Sequence, residues 1–204
     1  MNDNPSVFIV DDDEQVRSAL TLLMESVGLQ TQSFSSAYEY LEQFDASKPG
    51  CLILDVRMPG ISGLDLQARL SAEKIHPPII IITGHGDVPM AVRAVTAGAV
   101  DFIEKPFNNQ AMLDNVHRAI ELDAKHRGES SRLQEVETRY NALTPREKEV
   151  LLCVIAGKRN KIIASDMSIS QSTVEAHRSK VMEKMTAKSL SDLMRMALLL
   201  KLIS

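Results

Sequence analysis

The stretch Cys51-Leu52-Ile53-Leu54-Asp55-Val56-Arg57-Met58-Pro59-Gly60 decides how this chain folds. An apolar run ends on a single acid, and a Pro-Gly breaker follows almost at once. Pro49-Gly50 bounds the run in front, so its length fits a buried strand rather than a helix. Asp55 then stands at the carboxyl end of a central strand, the edge of an open α/β sheet where ligands bind. A carboxylate there is either a satisfied strand-end cap or a reactive group, and this stretch alone leaves both open.

The same grammar repeats on either side. Ser6-Val7-Phe8-Ile9-Val10 is a β-branched and aromatic strand ending on Asp11-Asp12-Asp13-Glu14. Val16, Leu20, Leu23 and Val27 then recur at helical spacing up to Gly28. Leu29 to Phe34 reads as a second strand. Ser35-Ser36 can cap a helix through Phe44 whose inward face holds Tyr38, Leu41 and Phe44. Ser62-Gly63 opens a helix with Leu64, Leu66 and Leu70. Pro78 to Thr83 is a strand apolar on both faces, as a central parallel strand must be. Asp87 or Val88-Pro89 starts a helix with small residues Ala91, Ala94 and Ala97, ending at Gly98. Val100 to Glu104 is a fifth strand, followed by Lys105-Pro106 and a helix from about Asn108. This alternation specifies a parallel sheet covered by helices. Right-handed crossovers put the strand ends on one edge, so Asp11, Asp12, Asp55, Thr83 and Lys105 converge.

Crowded carboxylates repel one another unless a cation sits among them, and an all-oxygen site of this kind suits Mg2+. An ammonium and a hydroxyl opposite are what phosphoryl oxygens need, and an aspartate can itself be the nucleophile. Asp13 and Glu14 read as the usual acidic bias of a helix start, and His85 as loop decoration without a metal-ligand cluster.

Ile9-Val10-Asp11-Asp12, Leu54-Asp55-Val56-Arg57-Met58-Pro59, Ile82-Thr83-Gly84-His85 and Glu104-Lys105-Pro106-Phe107 together resemble the receiver domain of two-component response regulators. The resemblance covers about residues 5–123. It implies a flavodoxin-like fold with strand order 2-1-3-4-5. It also implies that Asp55 accepts the phosphoryl group. Asp12, Asp55 and the Arg57 backbone carbonyl would hold Mg2+, with Asp11 acting through water. Lys105 would pair with the phosphoryl group, Thr83 would hydrogen-bond it, and Phe102 would be the rotating aromatic of the switch.

Charge separates the two halves. Residues 1–124 carry 8 Lys+Arg against 18 Asp+Glu, a net −10, whereas residues 125–204 carry 15 against 9, a net +6. A basic module on an acidic one points to nucleic acid. Apolar content of 44% permits a packed core, and no apolar stretch approaches the ~18 residues of a membrane span. Met1 to Pro5 lacks the basic and apolar regions of a signal peptide. Cys51 and Cys153 read as reduced core residues of a cytoplasmic protein.

Between the halves, Met112, Val116 and Ile120 form one helical stripe, and Leu133, Val136, Tyr140 and Leu143 another. The polar segment Lys125 to Ser131 leaves an interrupted helix and a flexible linker both open. The expected domains are therefore 1–123, a helical linker 124–141, and 142–204.

Thr144-Pro145-Arg146-Glu147 is a helix start with a capping pattern, and Val150, Leu151, Val154 and Ile155 form that helix's inner face. Asn160 to Met167 is a short second helix, and Ser168-Ile169-Ser170 a turn. Ser170 or Ser172 caps a third helix, Thr173 to Met185, anchored by Val174, Val181 and Met185. Ser189 begins a fourth, with Leu190, Leu193, Met194, Ala197 and Leu198 inward. Short helix, tight turn, longer helix is helix-turn-helix grammar. The third helix presents Thr173, Glu175, Ala176, His177, Arg178, Ser179, Lys180 and Lys184. Small and basic residues together suit a helix entering the major groove with its flanks on phosphates.

Leu143 to Leu151, Asn160-Lys161 with Ile163-Ala164, and Thr173-Val174 with His177-Arg178, Val181-Met182 and Lys184-Met185 resemble the LuxR-type helix-turn-helix. With the first half, the whole chain resembles the NarL/FixJ family. That likeness implies a transcriptional activator driven by a sensor histidine kinase. It would dimerise when phosphorylated, bind promoter DNA and engage RNA polymerase. Glu175, Ala176 and Ser179 would face bases, and Thr173, Arg178, Lys180 and Lys184 phosphates. It would not be an enzyme beyond Mg2+-dependent self-phosphorylation and slow loss of phosphate at Asp55. An aspartyl-phosphate phosphohydrolase needs a second acid two residues after its nucleophile, and position 57 is Arg. A signalling adaptor whose helical module binds protein is the other alternative.

Overall fold

A computed structural model describes residues 4–73 and 75–203; Met1, Asn2, Asp3, Lys74 and Ser204 lie outside the described residues, among them both outer ends of the expected domains. The chain divides into two compact units, Met1–His126 and Arg127–Ser204.

In the first unit, β1 (Ser6–Val10), β2 (Gln30–Phe34), β3 (Gly50–Asp55), β4 (Ile79–Thr83) and β5 (Asp101–Glu104) alternate with helices. These helices are α1 (Glu14–Glu25), α2 (Ala37–Gln43), α3 (Gly63–Ala72) and α4 (Val88–Thr96). The sheet is parallel in the order β2-β1-β3-β4-β5. This is the flavodoxin-like order that the receiver resemblance implied. Every residue of β1, β3 and β4 is buried, because helices cover both faces. Strand alternation sorts the side chains into two cores. Phe8, Val10, Leu52, Leu54 and Ile81 pack with Tyr40, Leu66, Leu70 and Ala94 of α2, α3 and α4. Val7, Ile9, Cys51, Ile53, Ile80 and Ile82 pack with Leu20 and Met24 of α1 and with Met112, Val116 and Ala119. Those last three belong to α5 (Asn109–Asn141), which runs unbroken through Lys125 to Ser131. The segment is thus neither the interrupted helix nor the flexible linker that its polar composition suggested; Gly128 alone does not break the helix, as a single interior glycine costs only about 1 kcal/mol.

Two glycines fix how β3 enters and leaves the sheet. Gly50 has φ +146, and a Cβ there would stand 1.8 Å from the Ser6 carbonyl oxygen. A Cβ at Gly63 would stand 2.1 Å from the Asp55 carbonyl oxygen, so α3 starts hard against the residue that ends β3.

In the second unit, α6 (Pro145–Ile155), α7 (Asn160–Met167), α8 (Gln171–Lys184) and α9 (Leu190–Leu199) enclose a core of Val150, Leu151, Val154, Ile155, Ile163, Val174, Val181, Met185, Leu193 and Ala197. Val136 of α5 and Leu143 join that core. Ser170, not Ser172, accepts the α8 cap bond from the Thr173 amide. Among the described residues no helix is long and apolar enough to cross a membrane.

Two inward faces differ from expectation. Tyr38 is exposed and Tyr40 is fully buried, because Ala37, Tyr40, Leu41 and Phe44 make the i, i+3, i+4 stripe and Tyr38 falls off it. On α9 only Leu193 and Ala197 are buried, while Leu190, Met194 and Leu198 form an exposed neighbouring stripe.

Candidate functional site

Asp11 follows β1 and Asp55 ends β3, and these strands are neighbours in register, with Val10 beside Leu54. Lys105 follows β5, two strands away from β3, and its long side chain reaches back across the sheet edge. Its Nζ lies 2.6 Å from Asp11 Oδ2 and 2.7 Å from Asp55 Oδ1. The Lys105 amide donates to the Thr83 carbonyl at 2.7 Å, which fixes where that side chain starts. Residues 11, 55 and 105 thus meet although distant in sequence.

The three groups are held from behind. Asp11 Oδ1 accepts from the Asp13 amide at 2.9 Å, and Asp55 Oδ2 accepts from the Arg57 amide at 2.6 Å. Asp11 is 0% exposed and Asp55 4%. Burial raises the Asp11 carboxyl above its usual value, although the Lys105 hydrogen bond and the Asp13 amide pull the other way. Burial also opposes the Lys105 ammonium, but the bonds to Asp11 and Asp55 outweigh it and its pKa is raised. Two carboxylates sharing one ammonium leave excess negative charge in a partly dry pocket.

That surplus, carried wholly by oxygens, is the chemistry a hard dication satisfies. Asp12, the third acid, is exposed beside the pair. Among the described residues no group of three His, Cys, Asp or Glu side chains converges as a metal site. Thr83 is buried at the end of β4, and its hydroxyl donates to the His85 carbonyl and accepts from the His85 amide, both at 3.3 Å. It is therefore engaged with its own loop rather than with Lys105. Phe102 is half-buried on β5, and a Cβ at Gly86 would come within 2.9 Å of its ring. Beside Lys105, an open hollow of about 480 Å³ is lined by Asp13, Val16, Ala19, Pro106 and Phe107.

In the second unit, Thr173, Glu175, Ala176, Ser179 and Lys180 are exposed on α8, and His177 and Arg178 are half-buried. Lys184 differs from its expected place on a phosphate: its ammonium pairs with Glu147 Oε2 at 2.7 Å and donates to the Ala142 carbonyl at 3.3 Å. Glu147 also closes the α6 capping box with Thr144, the arrangement its spacing specified. The sequence reading missed the Glu147–Lys184 pair because nothing in the pattern links residues 37 apart. It missed Asp123 too, whose carboxylate accepts from the Gly50 amide at 2.8 Å at the start of β3.

Residues 7–117 match the response regulator receiver domain, and residues 141–197 the luxR family of bacterial regulatory proteins. The chain belongs to the response regulators of the NarL/FixJ family. It is 47% identical over 191 residues to nodulation protein W of Bradyrhizobium diazoefficiens, covering 94% of this chain and 84% of that protein. To the transcriptional regulatory protein FixJ of Rhizobium meliloti it is 45% identical over 193 residues, 95% of each chain. The solved structure of the response regulator StyR superimposes with a TM-score of 0.89 at 42% identity, covering 95% of this chain and 98% of that one. This response regulator is a phosphorylation-dependent transcriptional regulator that joins a receiver to a DNA-binding helix-turn-helix.

Proposed function

We propose that Asp55 is the phosphoacceptor and that its phosphorylation turns this regulator into a DNA-binding dimer that activates transcription. The observation that carries the proposal is the meeting of Asp11, Asp55 and Lys105, with Asp55 at the strand end and both its oxygens hydrogen-bonded.

A carboxylate oxygen of Asp55 attacks the phosphorus of a phosphohistidine on a partner sensor kinase. The P–N bond breaks and the imidazole leaves with the electron pair. Position and charge neutralisation dominate such a transfer, because charge collects on the phosphoryl oxygens. Lys105 passes from the carboxylate pair to those oxygens, and the Thr83 hydroxyl leaves His85 to donate to one of them. Asp11, Asp12, Asp55 and the Arg57 backbone carbonyl are the groups that would hold Mg2+. Such an ion, when bound, offsets charge on the carboxylates and the phosphoryl oxygens. The hollow at Val16, Ala19, Pro106 and Phe107 gives the kinase an apolar footing beside the acceptor.

Withdrawal of Thr83 frees the space that Phe102 needs, and the face of α4, β5 and α5 changes. Val88, Val92 and Val95 form an exposed apolar stripe on α4, and the Asp101–Arg118 ion pair lies at the same face. Such a stripe rimmed by charge fits contact with a second copy. Two copies then place two α8 helices on paired half-sites in promoter DNA, where Thr173, Glu175, Ala176, His177, Arg178, Ser179 and Lys180 face the duplex. Contact with RNA polymerase follows from the activator role, and the cytoplasm is where kinase, promoter and polymerase meet. Slow loss of phosphate from Asp55 is the only turnover expected.

The test is size-exclusion light scattering and a genomic-fragment gel shift, each with and without acetyl phosphate and Mg2+. Wild type should become dimeric and shift DNA only with both, and Asp55→Asn should do neither. A phosphate-independent shift by Asp55→Asn equal to wild type would defeat the proposal.

A further inference from the structure

Asn160 is the first residue of α7, the helix before the turn, and follows the N-cap Arg159. Its side chain turns to α8. Its Oδ1 accepts from Arg178 Nη1 at 2.8 Å, and its Nδ2 donates to Glu175 Oε1 at 3.5 Å. The chemistry fixes the amide's orientation, since only the oxygen can face a guanidinium and only the nitrogen a carboxylate. Glu175 and Arg178 are three apart and so share a face of α8. Among the described residues no ion pair joins them directly; they meet through Asn160. A solvent-open hollow of about 470 Å³ is lined by this trio with Ser179 and Met182, and Asn160 is its α7 member.

We propose that Asn160 is a positioning residue for base reading: it holds the Glu175 carboxylate and the Arg178 guanidinium in one orientation before DNA arrives. The inference rests on the reading of α8 as the base-facing helix. An acid reads a base by accepting from a cytosine amino group, and an unheld glutamate beside an arginine would fold onto that arginine instead. Asn160 occupies the guanidinium and leaves one Glu175 oxygen free to point away from α7. Holding two long side chains in advance removes an ordering cost that would otherwise be met at the groove. An amide can serve both partners at once. Aspartate in its place could keep Arg178 but would repel Glu175, and alanine could hold neither.

The experiment starts by selecting a preferred duplex from a randomised library with the full chain, acetyl phosphate and Mg2+. Fluorescence anisotropy then measures binding to that duplex and to every single-base-pair variant, for wild type, Asn160→Ala, Asn160→Asp, Glu175→Ala and the 160/175 double variant. Wild type should discriminate about 10-fold or more at the base pair that Glu175 reads. Asn160→Ala and Asn160→Asp should each fall to about 3-fold or less at that pair alone, with the profile elsewhere and the affinity for non-specific DNA within about 2-fold. The double variant should discriminate no worse than Glu175→Ala by itself. Because discrimination is a ratio within one variant, a smaller folded fraction leaves it unchanged. Uniform weakening across all sequences, or additive losses in the double variant, would overturn the inference. Failure of wild type to select any sequence would instead strike at the DNA-facing assignment of α8.

Discussion

Removing the Glu147 carboxylate should loosen the helix-turn-helix unit by an amount its contacts set. Glu147 Oε2 accepts from the Thr144 amide at 2.8 Å and from Lys184 Nζ at 2.7 Å. The Glu147 side chain is 4% exposed and that of Lys184 36%. The hydrogen bond from Lys184 and then that from the Thr144 amide hold the carboxyl down at about 2. A fall of that size sets a ceiling of about 3 kcal/mol, and the part-exposed ammonium brings the expectation down to about 2. For a unit of this size that is about 10 °C in melting temperature. Calorimetry on the full chain should show one transition lowered by that much in Glu147→Ala, and the receiver's transition unmoved. Glu147→Gln keeps the cap but not the charge, and should lose about half as much. The pH sign is fixed because the folded pKa is depressed. The stabilisation is fully present above the ordinary value of 4.5 and is lost as pH falls through about 2. The gap between wild type and Glu147→Gln should therefore narrow below pH 4.5. A shift under about 2 °C in Glu147→Ala, or a gap constant down to pH 2, would refute this accounting.

Three further outcomes follow from other contacts. Lys105→Met leaves Asp11 and Asp55 without their shared cation and should destabilise the receiver by about 3 kcal/mol in urea titrations, with Mg2+ restoring part of it. Gly63→Ala drives a Cβ into the Asp55 carbonyl oxygen, so circular dichroism melts should show a loss above about 2 kcal/mol, whereas Gly128→Ala should be neutral or slightly stabilising. Lys180→Ala should lower the salt slope of DNA binding by about one without changing the melt, and Lys184→Ala should do the reverse, because its charge is spent on Glu147.

Much of the fold could be read from local signals. The β3 run ending at Asp55, the breakers at Pro59-Gly60, and caps such as Ser36, Ser62, Asp87, Thr144 and Ser189 each state an element in a few residues, and all five cap their helices. The pocket was legible because topology forces strand ends to one edge, so Asp11, Asp55 and Lys105 could be grouped without knowing a distance. What stayed hidden is set by side-chain direction across elements. Leu190, Met194 and Leu198 share an apolar spacing with Leu193 and Ala197, and only the packed neighbours decide which row turns inward. Lys184 and Lys180 look alike in sequence, yet one faces Glu147 and the other solvent. Asn160 reads as an ordinary helix start until Arg178 and Glu175 are seen against it.

The most direct measurement is the position of the phosphoryl group. The full chain is treated with acetyl phosphate and Mg2+, reduced with borohydride so that an aspartyl phosphate becomes homoserine, and sequenced by mass spectrometry. Homoserine should appear at position 55 in wild type, require Mg2+, and vanish in Asp55→Asn. Homoserine at another aspartate in wild type, or none while Asp55 remains intact, would contradict the account.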